Sequence, residues 1–98
     1  MPFWYKVPIP PLPGAEPQAP VILAEWLRPA GSWVEAGDPI ARVRCGPAQY
    51  EITVNGAGVL AEHRQPVGME LDDDEPLAIM RADGESIPYD KYSLARAT

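Results

Sequence analysis

Inside the body of this 98-residue chain, no stretch longer than eight residues is free of both proline and glycine. The longest free stretch, Tyr89 to Thr98, is at the C-terminal end. An average helix runs ~11–12 residues and tolerates neither residue in its interior. Strands of ~5–6 residues fit easily between such breaks. The thirteen prolines and eight glycines therefore predict an all-β fold, in a chain long enough for one modest core.

Charge and composition narrow the function classes. The net charge of −6 comes with only eight lysines and arginines, which argues against a nucleic-acid surface, where clustered cations do most of the work. One cysteine excludes an internal disulfide, and one cysteine with one histidine makes no structural zinc site. No apolar run reaches the ~20 residues of a membrane span, and the N-terminus lacks a signal peptide's pattern. The expectation is a cytoplasmic chain with no membrane, nucleic-acid or metal partner.

Strands are expected at Phe3–Pro8, Val21–Leu27, Pro39–Cys45, Ala48–Val54, Ala57–His63 and Pro76–Met80. Tyr50, Ile52 and Val54 alternate with Gln49, Glu51, Thr53 and Asn55, the pattern of a half-buried strand. Between Pro8 and Pro20, six residues lack a backbone N–H, so this segment reads as a rigid surface loop or a polyproline ligand rather than a sheet strand. Residues 1–83 read as one domain. Residues 84–98 read as a tail with at most a short strand near Ile87 before it frays.

The chain also repeats itself. At a constant offset of 37, Pro29 matches Pro66, Gly31 matches Gly68, Val34 matches Leu71, Asp38 matches Glu75, Pro39 matches Pro76, and Ile40 matches Leu77. Each copy is a Pro-x-Gly turn, an apolar anchor, an acidic residue with proline, and a hydrophobic strand. Two copies predict a flattened barrel or sandwich of two quasi-two-fold related four-stranded halves.

Between the copies lies Arg44-Cys45-Gly46-Pro47-Ala48-Gln49-Tyr50. If Gly46-Pro47 is a two-residue loop, Cys45 faces Ala48, Arg44 faces Gln49, Val43 faces Tyr50, Arg42 faces Glu51, and Ala41 faces Ile52. Apolar residues then meet apolar ones and one opposite-charge pair falls into register. A type II′ turn wants glycine first and a φ that proline supplies second.

Taken together, Gly31, Val34, Gly37-Asp38-Pro39-Ile40, Gly58-Val59, Gly68 and Pro76-Leu77 resemble the biotinyl/lipoyl carrier domain in their order and spacing. The resemblance spans about residues 21–80, with Tyr5-Lys6-Val7-Pro8 as an opening strand. It implies a functional lysine at the tip of the hairpin joining the halves, acylated by lipoate or biotin. Counting back eleven residues from Gly58, as the family pattern requires, leads to Pro47. Proline has no amine to acylate, Gly46 has no side chain, and Ala48 has no nucleophile. The resemblance thus implies a non-enzymatic domain with no cofactor and a vestigial tip at Cys45, Gly46, Pro47 and Ala48. Its implied partner is an unidentified protein, in the setting of a carboxylase or 2-oxoacid dehydrogenase-type assembly.

Other residues with chemistry remain. Cys45 is a thiol for attachment or redox sensing, or a small core residue, as its parity with Ala41 and Val43 favours. Lys6 and Lys91 are the alternative amines if attachment is displaced. His63 reads as a surface strand end, and Asp72-Asp73-Asp74-Glu75 as a solvated turn lacking calcium-loop spacing. Trp26 is expected in the sheet core and Trp33 near the first turn. Phe3-Trp4-Tyr5 is either an exposed docking strip or packing over one end of the barrel. No carboxylate pair, Ser/His dyad or phosphate loop supports an enzyme.

Overall fold

The computed structural model describes residues 2–16, 18–83 and 93–97. They form eight strands: β1 (Pro2–Val7), β2 (Val21–Trp26), β3 (Trp33–Val34), β4 (Pro39–Cys45), β5 (Ala48–Val54), β6 (Gly58–His63), β7 (Ala78–Asp83) and β8 (Ser93–Ala97). The strands pair antiparallel into two four-stranded sheets, ordered β1-β7-β6-β3 and β2-β4-β5-β8. The result is a two-sheet sandwich rather than a closed barrel.

Alternation along the strands builds the core. In β1, Tyr5 and Val7 are buried while Trp4 and Lys6 are exposed. In β4 and β5, Ala41, Val43, Cys45, Tyr50 and Ile52 turn inward. They meet Leu60 and Met80 from the other sheet, and Leu77 just before β7, in one apolar cluster. Each of the larger ones, Val43, Ile52, Leu60, Leu77 and Met80, contributes about 1.5–3 kcal/mol on leaving water.

Backbone hydrogen bonds recur at the offset of 37. Gly31 N–H donates to the Leu60 carbonyl and Gly68 N–H to the Leu23 carbonyl, both at 2.7 Å. Leu27 N–H donates to Ile40 at 2.8 Å, and Arg64 N–H to Leu77 at 3.1 Å. Register shifts fall between Leu23 and Glu25 and again between Leu60 and Glu62. The Trp33–Val59 pairing has its counterpart in the isolated Glu70–Ile22 bridge. The copies do not keep to one sheet each: β3 of the first copy joins the sheet of β6 and β7, and Glu70 of the second copy bridges to Ile22 in the other sheet.

Two strands depart from expectation. β3 is too short to carry an alternation pattern. β8 pairs along β5 from Tyr50–Ala97 to Val54–Ser93, where a fraying tail was expected, so the sheet extends past residue 83. The strand expected near Ile87 lies outside the described residues.

Candidate functional site: the hairpin tip

The β4–β5 hairpin has the register expected from its residues: Cys45–Ala48, Arg44–Gln49, Val43–Tyr50, Arg42–Glu51 and Ala41–Ile52 are paired. Gly46 has φ 59° and Pro47 does not have positive φ, as a type II′ turn demands. Both residues are exposed. The tip therefore presents a glycine without a side chain and a proline ring without a nucleophile.

The proline-rich segment is built into this end of the molecule. Ile9, Leu12, Ala15 and Ala19 pack against the core, and Pro10 is buried. The Tyr50 hydroxyl donates to the Pro13 carbonyl at 2.7 Å. The Cys45 thiol, only 3% exposed, lies 3.6 Å from the Ala19 carbonyl and 3.9 Å from that of Glu16. Cys45 is thus a core residue sealed beneath the loop. The loop itself is a packed strap, with its apolar side chains turned inward.

The other candidates are dispersed. Lys6 is exposed in mid-strand on β1, in the sheet that does not hold the hairpin. Lys91 lies outside the described residues. Trp4 is 60% and Trp33 56% exposed. Tyr5 is buried, with its hydroxyl 3.8 Å from the Met80 sulfur; the Phe3 side chain lies outside the description. The aromatic run at the N-terminus therefore divides by strand parity, one residue outward and the next inward.

His63 is not a free strand end. It is partly buried and stacks on Trp26 with ring centroids 3.9 Å apart and planes within 2°. Trp26 Nε1–H donates to the Gln65 carbonyl at 3.2 Å, and His63 Nε2 pairs with the Arg28 carbonyl at 2.9 Å. A carbonyl only accepts, so Nε2 carries the proton. Trp26 and His63, and likewise Arg28 and Gln65, are separated by 37 positions, so the two contacts are reciprocal at the offset of the matched turns. The sequence signal was present, since the two rings occupy equivalent positions in the repeat, but unlike residues do not announce a match.

The acidic turn is organised from within. Gln65, 4% exposed, donates through its amide to the carbonyls of Asp72, Glu75 and Pro76 at 3.0–3.3 Å and accepts from Asp72 N–H at 3.2 Å. An Asp72 carboxylate oxygen accepts from Asp74 N–H at 2.9 Å. Glu75 pairs with Arg64 at 3.3 Å. The hydrogen bonds that Arg64 donates to Glu75, and then to Glu62, hold its guanidinium above its ordinary pKa.

An antiparallel sandwich of two four-stranded sheets, with the tight β4–β5 hairpin exposed at its tip, defines the structural class. Over residues 9–80 the chain matches the biotin/lipoyl family, described as biotin-requiring enzyme, and it belongs to that family. No curated protein and no solved structure matches it. The matched span contains no lysine; Lys6 and Lys91 lie on either side of it.

Proposed function

We propose that this chain is a non-catalytic biotin/lipoyl-family domain that carries no acyl cofactor. It serves as a cytoplasmic binding or scaffolding module, in an assembly of the carboxylase or 2-oxoacid dehydrogenase type. The observation that carries this reading is Pro47 in the exposed turn where the family resemblance expects an acylated lysine. Acylation needs a nucleophilic nitrogen at an accessible tip, and the tip offers none. Two further observations support it. The only cysteine is sealed beneath the loop, and the groove of about 660 Å³ between the proline-rich strap and the acidic turn has no serine, histidine or cysteine in its lining. The groove is lined instead by Lys6 and by Asp73, Asp74 and Glu75, and holds no Ser/His or Cys/His pair.

The test is to purify the wild-type chain from cells co-expressing a lipoate ligase or a biotin ligase. Blots for lipoyl and biotinyl groups should stay blank while an authentic carrier domain in the same cells is labelled. A labelled wild-type chain would overturn the reading.

A further inference from the structure

The two outer sheet faces are built differently. Across β2-β4-β5-β8, one rung reads Glu25, Arg42, Glu51, Arg96. Its charges alternate, and Arg42 forms ion pairs with both Glu25 and Glu51. Both glutamates of the rung are thus paired, and the face exposes no large hydrophobic side chain among the described residues.

Across β1-β7-β6-β3, one rung reads Trp4, Arg81, Val59, Trp33. The four side chains share the outward parity, since Tyr5, Met80, Leu60 and Val34 beside them are buried. Three strand spacings of ~4.8 Å put the outer positions ~14 Å apart. Both tryptophans are more than half exposed. The Trp33 ring is fixed, with Nε1–H donating to Glu35 Oε1 at 2.9 Å. Arg81 lies between Trp4 and Val59, and Lys6 lies two residues along β1 on the same face. Among the described residues neither cation has an ion-pair partner.

We propose that this face is the docking surface, and that its occupant is an acidic, otherwise apolar extended segment of another protein. This rests on the reading of the chain as a binding module and names where it binds. Tryptophan and arginine are the residues that most often dominate binding energy. Here two aromatic platforms flank a cation that lacks a carboxylate. A segment laid along the rung covers both rings with apolar side chains and brings a carboxylate to Arg81, forming a charge-assisted pair in a site the rings have partly dried. A second copy fits worse. Two-fold stacking about the middle of the rung sets Arg81 against Val59 rather than against a carboxylate.

The test uses the full chain, fluorescently labelled, on an array of ten-residue peptides. Each peptide holds one or two glutamates among alanine, proline, valine and leucine, and each has matched glutamine and lysine versions. Glutamate peptides should bind, and their glutamine and lysine counterparts should bind at least tenfold more weakly. Trp4→Ala, Trp33→Ala and Arg81→Gln should each weaken binding at least tenfold, with circular dichroism confirming that each variant is folded. Arg44→Gln, the same charge change on the other sheet, should change it less than twofold. A preference for lysine peptides, no binding at all, or equal loss in Arg44→Gln would overturn the proposal. So would sedimentation showing a dimer that Trp33→Ala dissociates. Intact mass of the same preparation separates the two failures. An acylated chain refutes the binding-module reading, whereas an unmodified chain that ignores the array refutes only this surface.

Discussion

If the Trp26–His63 stack joins β2 of one sheet to β6 of the other, removing either ring should cost more than its own burial. The rings stack at 3.9 Å, and a stacked aromatic pair contributes about 0.5–1.5 kcal/mol beyond area. Each ring N–H also donates to a carbonyl of the opposite copy, a net contribution of about 1 kcal/mol. His63→Ala should therefore destabilise the chain by about 2 kcal/mol. Trp26→Ala, which also removes a larger half-buried surface, should cost about 3 kcal/mol. Because each hydrogen bond runs to a backbone carbonyl that both mutants retain, only the stack is shared. The double mutant should thus be less destabilised than the sum of the singles by about 1 kcal/mol. Urea unfolding followed by far-UV circular dichroism measures all four corners of this cycle. Single costs that add to within about 0.3 kcal/mol would refute the stack as a coupling between halves.

Three further outcomes follow from named contacts. A Cβ at Gly58 would sit 2.5 Å from the Arg81 backbone oxygen, and backbone in a central sheet position cannot yield cheaply. Gly58→Ala should cost about 3 kcal/mol by the same denaturation assay, and a loss below about 0.5 kcal/mol would contradict the close approach. Tyr50→Phe removes the hydroxyl bond that anchors the strap to β5. It should cost about 1 kcal/mol and raise the hydrogen-exchange rates of amides in residues 12–16; unchanged exchange there would mean the strap is held without it. Pro47→Lys should fold with the same sheet content and lose about 1 kcal/mol, because proline restricts the unfolded chain. For a domain of this size that is a melting shift of about 4–8 °C, and a collapse of the fold would contradict an exposed, tolerant tip.

Local rules were enough for the hairpin. Alternation, one charge pair and the turn preferences of Gly-Pro gave all five pairings in the observed register, and the 37-residue offset anticipated the matched turns. What local rules could not reach is held by tertiary contacts. β3 is two residues long and exists because the turn before it delivers Trp33 and Val34 to the edge of β6. β8 contains no strong alternation and is placed by the free edge of β5. His63 looked solitary because its partner is 37 residues away in sequence. The proline-rich segment reads as a surface loop or ligand because the pattern of its prolines hides the spacing of Ile9, Leu12 and Ala19, which pack inward. The close approach at Gly58 belongs to the same kind, since nothing in Gly58-Val59 itself shows that the Arg81 carbonyl lies against it.

The central claim is that the family's hairpin persists here without an acylated residue, and intact-protein mass spectrometry tests it most directly. Wild-type protein is co-expressed with a lipoate ligase and, separately, a biotin ligase, each with its cofactor supplied. The account predicts one species at the unmodified mass in both preparations. A species heavier by a lipoyl or biotinyl group, placed by tandem spectra on Lys6, Lys91 or Cys45, would contradict it and make this chain a working carrier with a displaced attachment site.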